Sequence, residues 1–173
     1  MNLNITNLSD FICRRIILLA GLASAFALAT ALIAQYGFDL EPCVLCVYQR
    51  IPYATVIGIG LVTLLLPGAD RRTVIYLIAL VFLGSAGLAF YHNGVEQRWW
   101  AAATSCGVGG DGSILSTTIE QLKSMLTGKL PKPCDAIDWT LFGLSVTVYN
   151  TIVSLALALV CFLCARQPME ENA

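Results

Sequence analysis

Charge is scarce in this chain. Of its 173 residues, 12% are Asp, Glu, Lys or Arg and 57% are hydrophobic. Soluble domains carry about 25% charged residues, so this sequence cannot cover a globular surface with solvated groups, and a disordered chain is excluded on the same ground. The formal net charge is −1, which leaves no basic face for nucleic acid. There is one histidine. A nucleotide-binding fold, a flavin motif and the Cys-x-x-Cys-His haem attachment are all missing, as are internal repeats and low-complexity tracts. Long apolar runs are plentiful, and the mean hydropathy is +0.75. The composition describes a small integral membrane protein, with residues 1–173 forming a single membrane domain.

A bilayer core of about 30 Å takes about 20 apolar residues as helix. Four stretches meet that length: Ile16–Ala34, Cys43–Leu66, Thr73–Gly94 and Trp139–Ala165, the last with its span at about 143–165. Their apolar residues run all the way round the helix, unlike the single stripe of a soluble bundle. The expected fold is all-α, a four-transmembrane-helix bundle. A signal peptide is the alternative for the first stretch, but its run exceeds a usual h-region and three spans follow. Arg14, Arg15, Arg71, Arg72 and Arg166 fall on one side of such a bundle. The positive-inside rule makes that side cytoplasmic, with both termini there. The other side receives a short loop at about 35–42 and a long one at about 95–142. Within the long loop, Ile119, Leu122 and Leu126 share a helical face, so Ser113–Thr127 reads as a short amphipathic helix, on the membrane surface or packed on the loop. Trp99, Trp100 and Trp139 bracket the loop, as interfacial aromatics do.

The seven cysteines divide by side. Cys43 and Cys46 form a Cys-x-x-Cys at the outer start of the second span. Cys106 and Cys134 lie in the long outer loop. Cys13, Cys161 and Cys164 lie at inner span ends, where buried thiols behave as small hydrophobes and are expected to be inert. The outside of a bacterial inner membrane is oxidising, so the four outer cysteines are expected as disulfides. A zinc site using all four is a competing reading, weakened by the wide Cys106–Cys134 spacing; no metal is expected. Structural disulfides are another. Redox chemistry has the stronger physical case. A Cys-x-x-Cys disulfide closes a very small ring and is readily reduced. Pro42 suits a helix start just ahead of Cys43, and a helix N-terminus favours a thiolate. Cys43 and Cys46 therefore read as an accessible oxidising pair, and Cys106 and Cys134 as a pair in a polar loop within reach of a soluble protein.

Electrons from thiols need an acceptor, and a quinone dissolved in the bilayer requires no nucleotide fold. Arg50 supports this, because a charge within an apolar span is a functional signal. Cys43, Cys46 and Arg50 fall at i, i+3 and i+7, on one face of a continuous helix. The guanidinium there would stabilise a thiolate and a reduced quinone oxygen; snorkelling to the headgroups is the alternative. His92, at the outer end of the third span, is a candidate donor to a quinone carbonyl. Glu96 reads as a solvated loop charge.

The segment Pro42-Cys43-Val44-Leu45-Cys46-Val47-Tyr48-Gln49-Arg50 resembles the disulfide bond formation protein B (DsbB) family of bacterial inner-membrane thiol–quinone oxidoreductases. Tyr91-His92-Asn93-Gly94-Val95-Glu96 and Cys134-Asp135-Ala136-Ile137-Asp138-Trp139, with Leu141-Phe142-Gly143, add to the resemblance. It covers essentially the whole chain. It implies a bundle that reoxidises a periplasmic thioredoxin-fold thiol oxidase (DsbA-like) and passes electrons to ubiquinone or menaquinone. It also implies a Cys106–Cys134 pair that meets the partner, with Cys106 in the mixed disulfide. Cys43 and Cys46 match the membrane-proximal pair, Cys46 next to the quinone, and Arg50 matches the quinone-site arginine. Ala101-Ala102-Ala103 departs from the Gly and Pro of many relatives. Two other functions stay open: a reductive transmembrane thiol conduit, which would need Cys161 and Cys164, and a membrane scaffold with structural disulfides. A vitamin K epoxide reductase-like enzyme has similar bundle chemistry but resembles the Arg50 segment less.

Overall fold

The computed structural model describes residues 5–65, 68–100, 134–135 and 140–167. The proposed surface helix Ser113–Thr127, the extent of the long loop, Cys106 and Trp139 lie outside them. The protein is an all-α four-helix membrane protein. Helix α1 spans Ile5–Gly37, α2 Val44–Tyr48, α3 Arg50–Leu65, α4 Arg71–Glu96 and α5 Val146–Arg166. Four segments have the length and hydropathy to cross a bilayer: Arg15–Gly37, Val44–Leu65 (α2 with α3), Arg71–Glu96 and Val146–Arg166.

The second span is not one continuous helix. Pro52 has no N–H to give the carbonyl of residue 48, and its ring crowds that carbonyl. The helix accordingly breaks at Gln49, between α2 and α3. The single helical face expected to carry Cys43, Cys46 and Arg50 is interrupted at this one residue: the cysteines belong to α2 and its cap, and Arg50 opens α3.

Helix α4 begins at an Asp70 cap whose carboxylate accepts from the Thr73 amide at 2.9 Å and the Thr73 hydroxyl at 2.5 Å. These bonds, the hydroxyl's first, hold the Asp70 carboxyl below its usual range. The fourth span starts later than the sequence suggests. A two-residue hairpin, β1 (Thr140–Leu141) with β2 (Leu144–Ser145), takes up its first residues. Phe142 and Gly143 both have positive φ, 51° and 78°, which a tight two-residue hairpin turn of this hand needs at both centres. Ser145 then caps α5, accepting from the Thr147 amide at 3.3 Å.

Helix α4 packs most extensively on α5 and α1 on α3. The inward stripe of α4 runs Ile75, Ile78, Phe82, Ser85, Ala89, His92, all essentially fully buried. The spacing alternates three and four residues, so one face turns inward along the whole helix. The buried residues of α4 include Ala79, Ser85, Ala86 and Ala89 and those of α5 include Ser154, Ala158 and Ala165, and Ser85 meets Ser154 across the two helices at 3.2 Å. Small residues let membrane helices approach closely, where apolar burial alone supplies little drive in lipid. The opposite faces expose Leu64, Leu65, Leu80, Leu155 and Leu159, as lipid contact demands.

At the Arg71 end of the bundle, Cys13 of α1 is joined to Cys164 of α5 by a disulfide, with Cα atoms 5.0 Å apart. Two of the three inner cysteines read as separate thiols are thus close enough to bond, because the first and last helices meet there. Cys161 is a buried thiol.

Candidate functional site

The other end of the bundle collects the ends of α1 and α4 and the starts of α2 and α5. Cys43 is the N-cap of α2, with extended backbone, and its sulfur accepts from the Cys46 amide at 3.3 Å. The Cys43 thiol donates to Cys46 Sγ, the two sulfurs 2.9 Å apart. A Cys-x-x-Cys opening a helix places its two side chains on one side of the first turn, which is why the pair meets. Cys43 is 4% exposed and Cys46 is intermediate. The expectation that both are accessible thus holds only for Cys46. Cys43 is shut in by the elements that pack over the cap.

His92 is one of them. Its Nε2 lies 3.5 Å from Cys43 Sγ and its Nδ1 3.1 Å from Gln49 Nε2. It is 1% exposed, because it closes the inward stripe of α4. One turn on, the side chain of Glu96 is 5% exposed, with Oε1 3.8 Å from His92 Nε2 and Oε2 accepting from the Thr147 hydroxyl at 2.6 Å. Glu96 is therefore not a solvated loop charge. Helix α4 continues through it, and its i,i+4 spacing from His92 carries it inward with the histidine. That spacing was the available signal in the sequence.

Cys134 is 1% exposed and packs in one cluster with Cys43, Leu45 and Val95, against which Cys46, Leu88 and Tyr91 also pack. The loop cysteine shares a buried cluster with the membrane-proximal pair and is not displayed to solvent in a polar loop. Its partner in the resemblance, Cys106, lies outside the described residues.

Arg50 stands at the head of α3, partly exposed, and its Nη1 donates to Gln35 Oε1 at the end of α1, 2.6 Å away. The structure does not bring it to His92. Around it, Val47, Tyr48 and Ile51 are exposed. A quinone head has only acceptor oxygens and an apolar rim. A guanidinium with five donors, bordered by exposed apolar side chains, is a donor set that fits it.

Three further residues were missed from sequence. Gln49 Oε1 accepts from Asn150 Nδ2 at 3.2 Å, and Asn150 Oδ1 accepts from the Tyr53 hydroxyl. Polar side chains in otherwise apolar spans were the signal. Cys43, Cys46 and His92 also place their ligand atoms within 4.8 Å of one another, a spacing open to a thiophilic cation. This set differs from the four-cysteine zinc site weighed above.

Chemically, two close sulfurs, a third cysteine in the same buried cluster and buried imidazole and carboxylate side chains are a set able to carry thiol–disulfide exchange. A family model described as disulfide bond formation protein DsbB matches residues 13–164. Disulfide bond formation protein B of Xanthomonas campestris pv. campestris (strain 8004) is 36% identical over 148 residues, 82% of this chain and 84% of the relative. The protein of that name from Methylobacillus flagellatus is 32% identical over 161 residues, 90% and 94% of the two chains. An uncharacterised protein of Rickettsia prowazekii (strain Madrid E) is 33% identical over 138 residues, 78% and 77%.

Proposed function

The chain belongs to the DsbB family of disulfide bond formation proteins, and from that premise we propose that it is a thiol:quinone oxidoreductase. It reoxidises a DsbA-like, thioredoxin-fold thiol oxidase on the outer face of the bacterial inner membrane. The proposal gives each cysteine pair one exchange. A thiolate of the reduced partner attacks Cys106 of a Cys106–Cys134 disulfide, and Cys134 leaves. The partner's second thiolate resolves the mixed disulfide, so the partner gains its disulfide and the loop pair becomes a dithiol. The loop pair then reduces the Cys43–Cys46 disulfide by the same two-step exchange. Each transfer moves two electrons, and the two protons stay on the thiols.

A membrane quinone, ubiquinone or menaquinone, would supply the terminal acceptor of two electrons and two protons. Arg50 would hold its head, with Cys46 the nearer sulfur of the pair. Arg50 is oriented for this by Gln35, and the charge it offers favours a thiolate and a reduced oxygen alike.

The observation that carries the reading is the packing of Cys134 in one buried cluster with Cys43. A scaffold with two independent structural disulfides has no need for its loop cysteine to press on the membrane-proximal pair, whereas an exchange relay requires it. The test mixes purified protein with a short-chain quinone and a reduced thioredoxin-fold partner. Loss of one quinone per partner disulfide formed is the expected result. Partner oxidation without quinone loss, or neither, refutes the reading.

A further inference from the structure

A buried chain of polar side chains runs from the middle of the bundle to the cysteine pair, and its direction can be read from one end. Asn150 Oδ1 accepts the hydroxyls of Tyr53 and Ser154, the latter at 3.4 Å. That leaves Asn150 Nδ2 for Gln49 Oε1, at 3.2 Å. With its oxygen engaged, Gln49 turns its NH2 to His92 Nδ1, at 3.1 Å. An NH2 group only donates, so Nδ1 must be the bare, accepting nitrogen, and the ring proton sits on Nε2. Nε2 faces two groups. Cys43 Sγ is at 3.5 Å, within range for a sulfur acceptor. Glu96 Oε1 is at 3.8 Å, too long for an N–H···O bond, and the carboxylate is drawn away by Thr147. The Cys43 thiol in turn donates to Cys46 Sγ.

We propose that Gln49, Asn150 and Tyr53 are positioning residues that hold His92 as its Nε2–H tautomer, keeping a hydrogen-bond donor aimed at Cys43 Sγ. Every donor in the series points the same way, from Tyr53 towards Cys46. Bonds aligned head to tail polarise one another, most strongly in a low-dielectric interior. Most of the chain is buried, with Tyr53 7% exposed, Gln49 8%, His92 1% and Ser154 0%, and Asn150 is half-buried. Unsatisfied polar groups are expensive inside a membrane, so reversing one amide would strand its neighbours and the order is maintained. A donor facing Cys43 stabilises negative charge on that sulfur whenever it carries charge during the exchange. The effect on turnover rests on the proposed function; the tautomer itself does not.

His92 is the only histidine in the chain, so 15N-histidine labelling of the full-length protein, purified without a histidine tag and kept reduced, gives one unambiguous pair of ring signals. The expected wild-type spectrum has a protonated Nε2 and a bare Nδ1. Gln49→Glu replaces the donor with an acceptor and should move a proton onto Nδ1. Asn150→Leu, which does not touch the ring, frees the Gln49 amide to turn and should give a mixture of tautomers. Ser85→Ala removes a buried hydroxyl that bonds only to the Ser154 side of the network, 3.2 Å away, and should leave the ring unchanged. Turnover should fall about 3- to 10-fold in the first two variants, the size of one hydrogen bond.

A wild-type proton on Nδ1 overturns the proposal. So does a Gln49→Glu ring identical to wild type, or Ser85→Ala shifting the ring as far as Asn150→Leu. If Gln49→Glu does not fold, Asn150→Leu decides alone: an unchanged ring overturns the proposal and a mixture upholds it. A protein without quinone turnover that still shows the expected tautomers upholds the positioning and fails the proposed function instead.

Discussion

Arg50 stands at the start of the second span, and its guanidinium donates to Gln35 of another helix. A snorkelling arginine has no need of a fixed acceptor, so this contact favours a held guanidinium. Arg50→Met should slow the quinone step by roughly 30- to 1000-fold, the effect of losing an electrostatic stabiliser of about 2–4 kcal/mol. Arg50→Lys keeps the charge without the planar fork and should retain part of the rate. Rapid mixing separates the phases, first partner oxidation without quinone, then quinone reduction. Equal slowing of both phases by Arg50→Met, or of neither, would return Arg50 to the headgroups. Cys134 makes a second residue-scale case. In the reverse exchange the Cys106 thiolate attacks the disulfide of an oxidised partner and Cys134 resolves the mixed disulfide, so Cys134→Ser mixed with oxidised partner should accumulate a covalent complex through Cys106, seen as a reducible band on a gel. A complex trapped only by Cys106→Ser would reverse the assigned order. The cysteines and Arg50 were legible because their type and placement are rare in apolar spans. Gln49, Asn150 and Glu96 were not, since their meaning comes from neighbours roughly 50 to 100 positions away.

At the scale of the element, the four spans could be read directly because twenty apolar residues in a row have few other uses. The break at Gln49 was also written in the sequence, at Pro52, but the proline sits three residues past the place it disrupts. The hairpin ahead of α5 was hidden inside an apolar run, where periodicity cannot separate strand from helix. The end of α4 shows how an element is finished by side chains beyond it. Trp100 folds back so that its ring stacks on Tyr91, centroids 5.9 Å apart and planes within 8°, and its Nε1 donates to the Tyr91 carbonyl at 3.0 Å. The ring lies over Gly94, where an added Cβ would come within 1.9 Å of Trp100 Cζ2. Gly94 is thus fixed by space and not by backbone angle. Gly94→Ala should expel the indole and cost about 1–3 kcal/mol, lowering the Tm in detergent by roughly 2–12 °C. Trp100→Ala removes the clash, so adding Gly94→Ala to it should lower the Tm little further. Full additivity of the two losses would show that the glycine serves something else.

Across the whole molecule, two sets of cysteines sit at opposite ends of one bundle. Helix α4 alone has 26 residues, about 39 Å at the usual rise, between the Cys13–Cys164 end and the Cys43 end. Disulfide exchange needs sulfur–sulfur contact, so no direct exchange joins the two ends. At the first end Arg71 donates to the Cys13 carbonyl, Arg72 to the Gln167 carbonyl, and Arg166 lies over the Phe162 ring. By the positive-inside rule, this collected positive charge gives the expectation that this end faces the cytoplasm. The cytoplasm keeps thiols reduced, so Cys13 and Cys164, close enough to bond, should be thiols in growing cells and should close only after oxidation. Acid-quenched cells, alkylated under denaturing conditions and weighed by mass spectrometry, should show Cys13, Cys161 and Cys164 all labelled. A variant with all three changed to Ala, which keeps the buried positions apolar, should then retain turnover within about twofold, since a change below that is under half a kcal/mol. Loss of most turnover in a folded triple variant would mean that the inner cysteines carry electrons, and the reductive conduit would replace the oxidase.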